Sequence, residues 1–144
     1  AAGDRAAGRL LFIRRNRNPG KGLLDLPGGF VDPAESAETA IRREIKEELG
    51  AALRDLRYFG SYPNRYFYNE VWYNTCDLYF TAGLESGALM LNTEEIAGIE
   101  YISPEEYAAP GFPENIAFDS AKAALRDFAA GQYPADGLNR QNSC

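Results

Sequence analysis

The chain has 144 residues, with 15 Lys and Arg against 21 Asp and Glu, a formal net charge of -6 and no histidine. That length suits a single domain spanning residues 1–144, and a hydrophobic content of 45% is enough for a real core and excludes overall disorder. The acidic balance argues against a nucleic-acid partner, which needs a basic surface, and the lack of histidine excludes Ser-His-Asp and Cys-His catalysis and disfavours zinc.

Cys76 and Cys144 stand far apart in unlike contexts, so neither a disulfide framework nor a metal-type spacing is present. A reduced, cytoplasmic setting follows as the default. There is no signal peptide and no apolar run long enough to span a bilayer, so no membrane partner is expected. The chain does not begin with Met, and residues 1–8 are a small-residue stretch. They lead into Leu10, Leu11, Phe12 and Ile13, an apolar run of buried-strand type.

Residues 14–22, RRNRNPGKG, form a basic loop. It reads either as a solvated turn or as an edge facing phosphate, with Arg14 and Arg15 as the candidate ligands because guanidinium forks match phosphate oxygens. Residues 24–31 alternate into a short strand and a glycine turn at Gly28 and Gly29.

Asp32 and Pro33 break that strand, Ser36 is the best N-cap, and Glu38 follows in the first helical turn. The spacing predicts a helix ending near Leu49, with Gly50 as a left-handed terminator. On a wheel of about 100° per residue, Glu44 and Glu48 fall within the stripe formed by Ala37, Ile41, Ile45 and Leu49. Glu38, Arg42 and Lys46 lie opposite. Glu44, Glu47 and Glu48 therefore converge on one face, and burying like charges together is costly unless something neutralises them. The arrangement asks for a cation, and carboxylate oxygens suit Mg²⁺ or Mn²⁺. Glu44 is also the leading candidate to accept a proton from water.

Downstream, residues 56–62 read as a strand, and 66–68 with 71–82 as a hairpin turning at Asn69 and Glu70. The aromatic residues crowded there are expected in the core or on sheet faces. Tyr66 and Tyr68 are the ones singled out as base-stacking candidates. Cys76 is expected to be buried. A loop over 85–95 precedes a short strand at 99–102, a helix start at Ser103, and an amphipathic helix over 115–130. The tail beyond Gly131 is expected to be surface-bound or frayed.

Residues 29–51 also carry a known signature. Gly29, Glu35, Arg43, Glu44, Ile45, Glu47, Glu48 and Gly50 stand at the spacing of the Nudix box, and only Ala51 departs, being small where the pattern has a bulky apolar residue. The chain thus resembles the Nudix hydrolases. The resemblance implies an α/β fold, an α/β/α sandwich with a mixed sheet between helices, the box helix on one side and helix 115–130 on the other. It implies a further strand before residue 10, whose residues are not obvious here.

The resemblance also implies that Glu44, Glu47 and Glu48 hold the metal, with the Gly28 carbonyl as a further ligand. Arg43 and Glu35 are expected to pair and brace the carboxylates. Glu95 matches the position of a loop ligand in some members, with Glu94 as runner-up, and in some members a downstream loop acid is the base. Asn115 sits where some relatives read the nucleobase, although a helix N-cap explains it equally well.

The activity implied is metal-dependent hydrolysis of the pyrophosphate bond in a nucleoside diphosphate linked to another moiety, such as ADP-ribose, NADH or a nucleotide sugar. The partner is then a small-molecule nucleotide, and many relatives are homodimers. Three alternatives remain open: a nucleotide-sensing regulatory domain, a MutT-type triphosphate pyrophosphatase, and an isomerase on the same fold. The sequence does not choose among substrates.

Overall fold

The computed structural model describes residues 3–4 and 8–132. The tail expected beyond Gly131, from residue 133 on, and Cys144 lie outside the described residues. Strand β2 (Arg9–Arg15) is the centre of the architecture. Along one edge it pairs antiparallel with β6 (Ile96–Ile102), from Leu10↔Ile102 to Arg15↔Ile96. The other edge is shared by two short strands, β1 (Gly3–Asp4) and β3 (Leu24–Asp25), which both run antiparallel to β2. The preceding strand that the sequence left obscure is β1. A parallel bridge between Leu24 and Ile116 makes the pairing mixed.

Strand alternation divides the core in two. Leu11 and Ile13 point into a cluster with Ile45 and Leu49 of helix α1 (Ala37–Leu49). Leu10 and Phe12 point the other way, into a cluster with Ile116, Ala121 and Leu125, the last two on helix α3 (Asp119–Ala129). The sheet therefore lies between α1 and α3, as the sandwich expectation required. No helix among the described residues is long and apolar enough to cross a membrane.

Helix α1 has the caps its sequence specifies. Ser36 Oγ accepts the Thr39 N–H, and Gly50 ends the helix at φ 64° with its N–H on the Lys46 carbonyl. Beyond it, β4 (Leu53–Tyr68) and β5 (Val71–Leu84) form one long hairpin, longer at its start than expected. Asn69 and Glu70 both have positive φ, 47° and 63°, the geometry that lets a two-residue turn follow strand twist. Register shifts lie near Asp55 and Phe59, where bulges bend the strand. Ser103 begins α2 (Pro104–Tyr107) with a full capping box.

Three expectations are corrected. Strand β3 is confined to Leu24–Asp25, because Pro27 has no N–H for a ladder. The last helix starts at Asp119, not Asn115: Phe112–Asn115 form a tight 3-10 turn, and extended Ile116 bridges Leu24 before the helix begins. Asn115 is thus no N-cap of that helix; its Nδ2 donates to the Phe112 carbonyl at 3.2 Å. Cys76 is exposed, since it pairs with Pro63 on a part of the hairpin that faces away from the core.

Candidate functional site

The turn before α1 is locked to the helix through Arg43. Its Nε and Nη2 donate to the two oxygens of Glu35, each at 2.8 Å. Nη2 also reaches the Phe30 carbonyl at 3.0 Å, and Nη1 reaches Glu44 Oε1 at 2.8 Å and Glu47 Oε2 at 3.2 Å. Glu35 Oε1 further accepts the Asp32 N–H at 3.0 Å. The Arg43 hydrogen bonds, followed by that N–H, hold the Glu35 carboxyl down at about 2. The hydrogen bonds that Arg43 donates to Glu35 and Glu44 in turn raise it beyond its usual range. Arg43 and Glu35 are thus paired across the turn.

Glu48 lies on the same helix face and is 5% exposed. Its Oε2 accepts the Gly28 N–H at 3.1 Å. Burial pushes its carboxyl up to about 8 against that hydrogen bond, and the charges of Glu44, Glu95 and Asp25 push the same way. Burial likewise raises Glu44, opposed by Arg43 and reinforced by Glu47 and Glu95. Glu47 is the outermost of the three, with its side chain 55% exposed.

Glu95 joins this field because its loop wraps the end of α1. The Met90 N–H donates to the Leu49 carbonyl at 2.8 Å and the Asn92 N–H to that of Glu48 at 2.9 Å. Glu94 N–H is instead taken by the Asn92 side chain.

These groups supply oxygen donors only, and Glu48 is a buried carboxylate with one N–H to balance it. That donor chemistry fits a hard divalent cation. Among the described residues, no group of three or more acidic or cysteine side chains closes on a common point, since Arg43 draws the Glu44 and Glu47 carboxylates to itself. The Gly28 backbone contributes its N–H to Glu48 here.

The residues picked for substrate contact fall into two groups. Arg14 pairs with Glu100 and donates to the Gly22 carbonyl. Arg15 donates to the Pro19 carbonyl at 2.7 Å and pairs with Asp25 at 3.3 Å. Its guanidinium also sits 4.9 Å from the Phe118 ring centre, a cation over an aromatic face. Phe118 packs on Tyr66 at 5.5 Å, and Tyr66 on Phe30 at 5.3 Å and on Tyr68 at 6.4 Å.

Arg15, Phe118 and Tyr66 thus make a continuous line that branches at Tyr66 to Tyr68 and to Phe30, the residue following Gly29. Phe30 is 63% exposed and Tyr68 53%, so aromatic surface is open beside the glycine turn. Asn115 is exposed on the 3-10 turn ahead of Phe118. Sequence reading missed Phe30 and Phe118. The exposed bulky residue directly after a paired glycine was the available signal for the first, and none marked the second.

The model of the NUDIX domain matches residues 3–124. The chain is 33% identical over 93 residues to the NAD-capped RNA hydrolase NudC of Haemophilus influenzae (strain PittEE), covering 65% of this chain and 33% of that protein. It is 46% identical over 56 residues to the ADP-ribose pyrophosphatase of Methanocaldococcus jannaschii, covering 39% of this chain and 33% of that one. The chain therefore spans about a third of the length of these curated relatives. Among solved structures, the MutT NUDIX hydrolase of Burkholderia pseudomallei superposes with a TM-score of 0.62 at 26% identity, over 86% of this chain and 90% of that one.

Proposed function

The chain belongs to the NUDIX domain family, and on that premise we propose that it is a divalent-cation-dependent hydrolase. Its substrate is a nucleoside diphosphate linked to a second moiety. The observation that carries this reading is Glu44 and Glu48 on one face of α1, with Glu48 bonded to the Gly28 N–H, next to the open ring of Phe30 on the same glycine turn. A carboxylate-bearing helix face for metal beside rings suited to a base matches the two halves of such a molecule.

Glu44, Glu47, Glu48 and Glu95 are the residues that would hold Mg²⁺ or Mn²⁺. Bound there, the cation would neutralise the pyrophosphate and make a water easier to deprotonate. Glu44 Oε2, the oxygen that Arg43 does not bind, accepts the water's proton. The hydroxide oxygen bonds to one phosphorus as the bridging P–O bond breaks. A nucleoside monophosphate and a phosphorylated remainder leave, the departing oxygen remaining as a phosphate oxygen. Arg43 and Glu35 keep the helix carboxylates oriented, and Tyr66, Tyr68 and Phe30 take the base by stacking.

The net charge of -6 favours a small nucleotide over a nucleic-acid chain. The relevant test is a panel of NADH, ADP-ribose, nucleotide sugars, diadenosine polyphosphates, oxidised nucleoside triphosphates and NAD-capped RNA, with Mg²⁺ or Mn²⁺ and products identified. Turnover of a linked diphosphate to a monophosphate and a phosphorylated remainder is expected, lost in Glu47→Gln with the fold retained. Turnover of nothing in the panel, or near-normal rates in Glu47→Gln, would sink the reading.

A further inference from the structure

Residues 14–22 carry a third arginine beyond the two already placed. Arg14 and Arg15 are committed to protein partners, Glu100 and the Gly22 carbonyl for one, Asp25 and the Pro19 carbonyl for the other. Arg17 is held differently. One of its nitrogens, Nη1, lies 3.2 Å from Glu95 Oε1, and its side chain is 60% exposed. Among the described residues no hydrogen bond fixes the rest of its guanidinium.

The backbone beneath Arg17 is nevertheless fixed. The Asn16 N–H donates to the Glu95 carbonyl at 3.0 Å, and Asn16 Nδ2 donates to the Thr93 carbonyl at 2.8 Å. The loop it touches is itself tied to the end of α1 through Met90 and Asn92. A rigid base thus carries a flexible cation at the rim of the carboxylate field.

We propose that Arg17 is a substrate-binding residue that contacts the diphosphate of the substrate, exchanging its ion pair with Glu95 for phosphate oxygens. This deepens the hydrolase reading and rests on it. An exposed ion pair with one contact point is weak, so little opposes the exchange. A guanidinium offers phosphate a fork of parallel donors and stays charged at every relevant pH. The exchange also has an electrostatic logic. A diphosphate approaching Glu44, Glu47, Glu48 and Glu95 meets like charge, and a cation standing at that rim offsets it. Once Arg17 swings to phosphate, Glu95 is released toward the other carboxylates.

The test compares the wild-type chain with Arg17→Ala and Arg17→Lys. Binding of ADP-ribose and of NADH is measured by calorimetry with Ca²⁺, whose looser coordination geometry departs from that of Mg²⁺. Mn²⁺ affinity without nucleotide is measured by electron spin resonance. Arg17→Ala should weaken nucleotide binding by about tenfold, Arg17→Lys by less, and Mn²⁺ affinity should stay within about twofold. Unchanged nucleotide affinity in Arg17→Ala would overturn the proposal, as would a wild-type chain that binds neither nucleotide. An equal loss of Mn²⁺ and nucleotide affinity would also overturn it, because Arg17 would then merely hold Glu95. Wild-type binding without turnover of any panel substrate would remove the hydrolase reading and leave Arg17 in place as a phosphate ligand.

Discussion

Gly29 and Glu44 occupy each other's space: a Cβ built on Gly29 would lie 2.3 Å from the Glu44 carboxyl carbon and 2.5 Å from both its oxygens. The glycine that opens the box is therefore there for the glutamate within it. The turn contributes a surface on which the carboxylate rests, and Arg43 holds that carboxylate from the other side at 2.8 Å.

Gly29→Ala should consequently separate stability from activity. The group displaced is the tip of a flexible side chain, so the loss of stability should stay below about 1 kcal/mol. A shift of the carboxylate by about 1 Å should lower kcat by about a hundredfold. Thermal melts and steady-state rates read the two effects, and an unchanged kcat would show that the contact does not position Glu44.

Glu48→Gln keeps an acceptor for the Gly28 N–H and copies the neutral form that burial favours. Metal-free Tm should be unchanged near pH 7 and higher above about pH 8, where the unpaired buried carboxylate opposes folding. Turnover should fall by about a hundredfold or more, and the rise in Tm that Mg²⁺ gives the wild type should be lost. A lower metal-free Tm would mean that the Glu48 charge stabilises the fold.

Ala34 sits at φ 64° in the turn that presents Glu35. Pro33 precedes it, and the Glu35 N–H closes the turn on the Asp32 carbonyl at 3.1 Å, the pattern of a type II turn that favours glycine at this position. Ala34→Gly relieves a left-handed conformation costing about 1–2 kcal/mol and gives back part in unfolded-chain entropy. A net gain of about 0.5 kcal/mol is expected in denaturant melts, with kcat unchanged; a loss of stability would contradict the turn assignment.

Asp25 titrates within the fold. Burial lifts its carboxyl from 3.8 to about 6, against the opposing charge of Arg15. Between those values the folded chain binds more protons than the unfolded one, so this group's contribution to stability falls as pH rises from about 4 to about 6. With each pH unit between the two values worth about 1.4 kcal/mol, the contribution is on the order of 2–3 kcal/mol. Asp25→Asn should flatten that part of the stability profile measured by urea melts at pH 4, 5 and 6. An identical slope in the variant would assign the effect to other groups.

Much of this architecture was readable because its causes are local. Ser36 and Gly50 bound α1 through hydrogen bonds that span one helical turn, and Asn69 with Glu70 close the hairpin through their own backbone angles. The placement of Glu44 and Glu48 on the apolar stripe follows from helix periodicity alone, whereas the pairing of Arg43 with Glu35, which precedes the helix, was expected with the resemblance to the Nudix box. Folding added what depends on distant segments. The start of α3 moved to Asp119 because Ile116 is drawn out to meet Leu24, and Cys76 faces solvent because the hairpin outruns the core behind it.

The carboxylates of α1 were set by sequence spacing, since a helix fixes the relative direction of residues three and four apart. Glu95 as the loop acid was expected from the resemblance, and how the loop, the rings and the arginines come to flank them was decided by tertiary contacts. Glu95 reaches that field because its loop ties itself to the Leu49 and Glu48 carbonyls, Phe118 because α3 packs across the sheet against Tyr66, and Arg17 because Asn16 is bonded to the Glu95 strand entry. Long-range closure of this kind has no period and no local signature, so the carboxylate face of α1 was legible in the chain, and Phe30, Phe118 and Arg17 beside it were not.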